Sequence, residues 1–446
     1  MEAASRHEHV DLPLLNAMAI APDPHADRVR THEWLAGVGS SAGSKPRLST
    51  LIRWSAAGIS AWVAIALLIG FIALERYKLP ASTGPYAIGT SILNFTDDSR
   101  YEDPASHHGD KRALVAQVWY PAMQSTMPIA KYQRWGETTA ANFYNQLLHT
   151  HSRMDAPLAV AGGPFPVLLF GHRWGGQRTQ DTALCEDLAS HGYVVVSVDH
   201  PYNSARVEMA DGKIIAGDEP IEGPGGESAS SAQQIAFWNA TLDTWADDDI
   251  FVLDQLAALN SSAGSQFHGA FDMARIGAFG HSFGGAVAFS LLGRDPRIRS
   301  AVNLDGWTFG ALDARTTQPI LVVYEQEAMD RRRQLTLLPH PGTTGDQLDR
   351  ADIESVDGSL TRFGGDVLYI AGTQHMDFTD QPLLPPLRRP GFTGPIAPAR
   401  IQTILRTTVL SFFENTLQSR AQPSLGNNPD KGQDTTLEHH PAPAQP

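Results

Sequence analysis

Residues Ile276-Gly277-Ala278-Phe279-Gly280-His281-Ser282-Phe283-Gly284-Gly285-Ala286 form the stretch that decides the fold. A short apolar run leads into a glycine-bracketed serine, and an apolar segment, Ala286 to Leu292, follows at helical spacing. This is a strand, a tight turn and a helix, with the serine hydroxyl at the carboxyl edge of a sheet. The glycines permit the strained backbone and the close approach of helix to strand. The helix N-terminus adds positive potential where an oxyanion would form. The bare pattern recurs at Gly39-Ser40-Ser41-Ala42-Gly43, but no strand-like run precedes it. Context therefore favours Ser282 over Ser41 as a nucleophile.

Working outward, similar runs lie on both sides: Leu114 to Tyr120, Val167 to Phe170, Val194 to Val198, Ala301 to Leu304, Ile320 to Tyr324 and Val367 to Ile370. Such compact β-branched runs suit strands buried on both faces. Helical patterns lie between them: Thr182 to Ser190, Trp238 to Leu259 on one apolar face, Gly285 to Leu292 and Arg400 to Leu417. Strand and helix in alternation imply an α/β domain over residues 85–420, a mostly parallel central sheet with helices on both faces. The segment Lys131 to Met154 reads as an inserted helix or two, and Tyr202 to Ser231 as a long loop.

A serine hydroxyl needs a base, and the base needs a carboxylate to orient it. On a strand–turn–helix scaffold the order along the chain is serine, acid, histidine. His375 follows the last strand-like run, where the base belongs. His340 sits in a proline-flanked loop and is the weaker candidate. Two acid positions stay open on the residues alone: Asp305, at the end of one run, and Glu325 with Glu327, after the next. The oxyanion needs two N–H donors. Phe283, after the nucleophile, is one. The loop Gly171-His172-Arg173-Trp174-Gly175-Gly176 supplies the second, assigned to Trp174, with His172 as a structural residue holding the loop.

The 446 residues carry 34 Lys plus Arg against 48 Asp plus Glu, a net charge of −14. No basic face for nucleic acid is expected. Hydrophobic residues at 42% can fill a sizeable core. One cysteine, Cys185, excludes a disulfide scaffold and a multi-cysteine zinc module. The histidine pairs and the run Asp247-Asp248-Asp249 read as solvated or loop-pairing groups, so no metal and no cofactor is expected. Residues 54–74 hold no charge and would span ~30 Å as a helix, a hydrocarbon thickness. They are expected to form a single transmembrane helix or signal-anchor, residues 53–75. Lys45, Arg47 and Arg53 before it and Arg76 and Lys78 after it favour an extracytoplasmic catalytic domain. Residues 1–52 and 421–446 read as a flexible leader and a disordered tail.

Several stretches together resemble the platelet-activating-factor acetylhydrolases, the lipoprotein-associated phospholipase A2 group of the α/β-hydrolase superfamily, and their bacterial relatives. Val115 to Pro121, Pro166 to Arg178 and Asp187 to His200 resemble the family's early strands, oxyanion loop and following helix. The nucleophile motif, Asn303-Leu304-Asp305-Gly306-Trp307 and His375-Met376-Asp377-Phe378 resemble its three catalytic motifs. The resemblance implies a Ser282–Asp305–His375 triad, no metal, and removal of short or oxidised sn-2 acyl groups from glycerophospholipids. A broader carboxylesterase, or a polyester or lipid hydrolase, is the alternative. A catalytically silent membrane-tethered binding module is a second. Where the family usually has glycine after the oxyanion-loop histidine, this chain has Arg173.

Overall fold

The structure is a computed structural model that describes residues 78–443 apart from 103–109, 141–142, 160, most of 218–228, 313–314, 316, 339–343, 385–390 and 419–433. It also describes Ser60, Trp62, Val63 and Ile65, all helical. The chain divides into two compact units, Met1–Ala66 and Leu67–Pro446. The expected membrane span at 54–74 therefore lies almost wholly outside the described residues, as do the leader and His340. Among the described residues no helix is long and apolar enough to cross a membrane.

Thirteen strands are described: β1 (Ala87–Tyr101), β2 (Lys111–Ala122), β3 (Ile129–Lys131), β4 (His149–Met154), β5 (Phe165–Gly171), β6 (Val194–Asp199), β7 (Arg206–Glu208), β8 (Ile214–Ala216), β9 (Phe271–His281), β10 (Ile298–Leu304), β11 (Ile320–Tyr324), β12 (Gly365–Ile370) and β13 (Thr435–His440). The helices are α1 (Thr182–Ser190), α2 (Ser231–Ser261), α3 (Phe283–Arg294), α4 (Gln326–Leu335), α5 (Thr344–Phe363) and α6 (Pro398–Leu417). Eleven strands form one sheet in the order β13-β12-β11-β10-β9-β5-β6-β2-β1-β4-β3, and β7 pairs with β8 apart from it. The six strands from β12 to β6 run parallel, and β2 turns antiparallel onto β6.

Alternation within each parallel strand sends side chains to two cores. Val167 and Leu169 of β5 join Trp245, Leu256 and Val287 from α2 and α3. Leu168 and Phe170 join Leu184, Leu188, Leu405 and Phe413 from α1 and α6. Both sides of every central strand are dry, which is why these strands read as unbroken apolar runs rather than alternating ones.

Three expectations are corrected. Lys131 to Met154 holds 3-10 turns at Trp135–Glu137 and Phe143–Leu147 and the strand β4, not one or two α-helices. The segment is too polar to present an apolar helical stripe, so it adds an edge to the sheet instead. The long loop after Tyr202 contains the β7–β8 hairpin. The tail expected to be disordered contributes β13, which pairs antiparallel with β12 from Gly365↔His440 to Ile370↔Thr435. An otherwise open edge strand offers unpaired backbone donors and acceptors, and Thr-Thr-Leu-Glu-His-His supplies the β-branched start to satisfy them.

Candidate active site

Ser282 joins β9 to α3 with φ 57° and ψ −124°, a backbone conformation costly for any residue with a side chain. Its N–H donates to the Leu304 carbonyl at 2.9 Å, and its carbonyl accepts from Gly285 N at 2.9 Å. The turn is so tight that neighbours must lack Cβ. At Gly284 a Cβ would lie 2.2 Å from the Gly171 carbonyl oxygen. At Gly306 it would lie 2.0 Å from the Ser282 carbonyl oxygen. Helix α3 thus packs directly on the end of β5, which sets the serine and the oxyanion loop side by side.

Asp305 leaves β10 with φ 57°, its N–H donating to the Val323 carbonyl at 2.8 Å. The Asn303 side chain braces this turn at both ends of the Gly306 peptide, accepting from its N–H at 2.8 Å and donating to its carbonyl at 2.9 Å. One Asp305 carboxylate oxygen, Oδ1, accepts from Glu325 N at 2.9 Å. The other, Oδ2, is 2.7 Å from His375 Nδ1. That contact fixes Nδ1 as the protonated nitrogen and leaves Nε2 as an acceptor. The Asp305 side chain is 4% exposed, whereas that of His375 is 42% exposed, so the acid is sealed behind the ring and the ring faces solvent.

His375 opens a 3-10 turn, His375–Phe378, after β12. Two residues not singled out from the sequence hold that turn. Asp377 is buried and its Oδ2 accepts from Gln374 N at 2.9 Å and Gly394 N at 2.6 Å. His281 is also buried; its Nε2 lies 2.9 Å from the His375 carbonyl and its Nδ1 lies 3.0 Å from Gln180 Nε2. Burial pushes the His281 pKa well below its ordinary value, and the nearby His375 and Arg173 add to the effect. It is a neutral ring that donates from Nε2 and accepts at Nδ1. The clue in the sequence is position alone: His281 precedes the serine and Asp377 follows the base by two.

Ser282, Phe283, Asp305 and His375 line one cavity of about 460 Å³. Its wall is apolar and aromatic at Trp307, Phe309 and Tyr324, and acidic at Glu325 and Asp352. Burial and the Asp305 charge push the Glu325 carboxyl up to about 8. The two acids open in the sequence are therefore both present, in different roles: Asp305 meets the imidazole, and Glu325 sits behind Asp305. Asp305, Glu325 and His375 could also offer three ligand atoms within 4.8 Å of one another.

The loop Gly171–Gly176 meets the Ser282 turn through aromatic rings. Trp174 is buried and packs edge-on against Phe283, with centroids 5.1 Å apart. His172 is fully buried, with Nε2 2.9 Å from Ser204 Oγ and Nδ1 2.7 Å from the Arg173 carbonyl. It holds the loop, as its sequence context suggested.

The chain matches the family described as platelet-activating factor acetylhydrolase, isoform II, over residues 71–216 and 254–437. It belongs to that family. The matched residues include the oxyanion loop, Ser282, Asp305 and His375, whereas much of α2 falls between the two segments. A probable 1-alkyl-2-acetylglycerophosphocholine esterase of Arthroderma benhamiae is 34% identical over 258 residues, 53% of this chain and 60% of that protein. The platelet-activating factor acetylhydrolase of Canis lupus familiaris is 25% identical over 294 residues, 59% of this chain and 64% of that protein. The chain thus spans about three fifths of these relatives. Among solved structures, a ferulic acid esterase from Streptomyces cinnamoneus superposes with a TM-score of 0.63 at 27% identity, covering 81% of this chain and 99% of that one.

The acidic run on α2 is a further correction. Asp248 is wholly buried, not solvated. Its carboxylate takes Arg112 Nη2 at 2.6 Å and Nε at 3.1 Å, and lies 2.9 Å from His200 Nδ1. The His200 ring in turn stacks on Trp245 at 4.0 Å. This pairing ties β2 and the end of β6 to α2, beneath the oxyanion loop's Trp174, which stacks on the same Trp245.

Proposed function

We propose that the protein is a serine hydrolase of carboxylic esters, acting on short or oxidised sn-2 acyl groups of glycerophospholipids. The observation that carries the reading is the 2.7 Å contact of His375 with Asp305 in the same cavity as a serine held at φ 57°. His375 Nε2 takes the Ser282 proton as Oγ attacks the ester carbonyl. The N–H groups of Phe283 and Trp174 hold the oxyanion. Asp305 keeps the ring in the reactive tautomer and stabilises its charged form. The ring then returns its proton to the leaving alcohol and activates water for deacylation. The family and the names of its relatives support a phospholipid ester.

The aromatic wall of Trp307, Phe309 and Tyr324, together with the ferulic acid esterase likeness, favours a second reading, a broader carboxylesterase. In either case residues 54–74 anchor the chain in a membrane with the catalytic unit outside the cytoplasm. Hydrolysis of a short-acyl glycerophospholipid, a 4-nitrophenyl ester and an insoluble polyester by the full chain tests the choice. Preference for the phospholipid supports the first reading, and turnover of the other two alone supports the second. Failure of a fluorophosphonate probe to label Ser282 in the folded protein would sink both.

A further inference from the structure

The oxyanion loop carries a charge that the ester chemistry leaves unused. Among the described residues, the fully buried arginines have carboxylate or several carbonyl partners. Arg112 is held by Glu102 at 2.7 Å and Asp248 at 2.6 Å. Arg178 is held by Glu137 at 2.8 Å and by Asp199. Arg315 has no carboxylate, but it donates to the Gln318, Ser359 and Gly364 carbonyls and to the Ser359 hydroxyl. The Arg173 guanidinium has neither arrangement. Among the described residues it makes one hydrogen bond, from Nη1 to the Trp174 carbonyl at 2.8 Å. Burial lowers its pKa, with no carboxylate to offset the cost.

Arg173 lines a second cavity of about 260 Å³, which shares no wall residue with that of Ser282. A water occupies about 30 Å³ of liquid, so the space admits a phosphate or a carboxylate on a short stem. Gln133 and Asn145 come from the segment between β3 and β4, Gln177 and Thr179 from the oxyanion loop, and Met376 from beside His375. None of the described lining residues is acidic. A lone guanidinium among amides and hydroxyls is the chemistry of an oxyanion receptor, and its planar fork suits two oxygens at once. The cavity is linked to the reacting groups by Gln180, which lines it and lies 3.0 Å from Nδ1 of His281, the residue before Ser282, while His281 Nε2 lies 2.9 Å from the His375 carbonyl.

We propose that Arg173 and this cavity hold the anionic oxygens of a phosphate or carboxylate carried by the ester substrate, beside the bond to be cleaved. The inference rests on the ester-hydrolase reading above and adds where the substrate's anionic group is held.

The test compares three substrates on the full chain: a dibutyroyl glycerophosphocholine, 4-nitrophenyl hydrogen glutarate and neutral 4-nitrophenyl acetate. In Arg173→Gln the ratio of kcat/KM for anionic over neutral ester should fall by about 10–100-fold, the range for one lost charged hydrogen bond. Arg173→Lys should recover part of it. A fall in the phosphodiester arm alone assigns phosphate, and one in the glutarate arm alone assigns carboxylate. An unchanged ratio in both arms overturns the site while leaving the hydrolase standing. A wild-type protein that cleaves none of the three overturns the underlying reading. The wild-type protein gives a measurement that needs no variant to fold: glutarate or glycerophosphocholine should inhibit acetate-ester cleavage more than uncharged glutaramide does. Equal inhibition overturns the proposal.

Discussion

His375 Nδ1 lies 2.7 Å from Asp305 Oδ2, and the Asp305 carboxylate is sealed from solvent while the ring is not. In the proposed mechanism this short, shielded contact is how Asp305 acts on His375. Replacing it with a neutral isostere tests what that contact does. In Asp305→Asn the amide can donate to Nδ1, which then carries no proton, and the ring presents the wrong nitrogen to Ser282. Ester turnover should fall about 10⁴-fold, the loss seen when a triad acid is so replaced, with the melting temperature nearly kept. A loss below tenfold in steady-state kinetics would remove Asp305 from the mechanism.

The nucleophile is tested separately from the fold. Ser282→Ala deletes the attacking oxygen but keeps a Cβ at the strained turn. Turnover should drop by roughly 10⁶-fold. Covalent labelling by a fluorophosphonate should vanish, and the circular dichroism spectrum should be unchanged. Residual labelling at another serine would point to a different nucleophile.

Gly284 tests the packing that brings the serine to the oxyanion loop. A methyl there would meet the Gly171 carbonyl oxygen at 2.2 Å, so α3 must move off β5. Overpacking of this kind costs about 1–3 kcal/mol. Gly284→Ala should lower stability by that amount in urea unfolding and reduce kcat as the two oxyanion donors separate. Normal stability and kcat would show that helix and strand yield more easily than backbone contact suggests.

Asp248 offers a stability test away from the reacting groups. Breaking a buried ion pair by removing one partner costs about 3–5 kcal/mol, because the other charge is stranded. Asp248→Asn leaves Arg112 with only Glu102 and frees the His200 ring that packs on Trp245. Urea unfolding should register most of that cost. A change under 1 kcal/mol would mean that water reaches Arg112 in the variant.

Much of this architecture is legible in the sequence for one reason. The parallel strands are dry on both faces, so their apolar runs announce themselves, and the nucleophile turn is coded within a few consecutive residues. Elements whose partners are distant are not legible. β1 is a long strand, but its outer half, Asn94 to Tyr101, is mostly polar and exposed, so it offers no apolar run to mark it. β13 is visible only as the mate of β12. Asp248 looks like a member of a solvated acidic run until Arg112 from β2 is placed beside it, and that Arg173 has no carboxylate partner among the described residues is a property of its surroundings. The Glu325 and Asp305 alternatives could not be separated by chain order because both acids do reach the site.

That proximity leads to a pH dependence. The Glu325 carboxyl is pushed from 4.5 up to about 8 by burial and by the Asp305 charge. A carboxyl whose pKa is higher in the folded state than in the unfolded one stabilises the fold while protonated. That contribution is complete below the unfolded value and is lost as pH rises through the folded value. Wild-type stability should therefore decline between pH 5 and 8.5 as the unfolded chain gives up this proton more readily than the folded one. Glu325→Gln keeps the shape and a donor toward Asp305 but has no proton to lose. Its melting temperature relative to wild type should climb steadily from pH 5 to 8.5, and any inflection near pH 8 in the wild-type rate profile should disappear. A constant difference in melting temperature across that range would show that Glu325 is ionised beside Asp305, and that another cation compensates the pair.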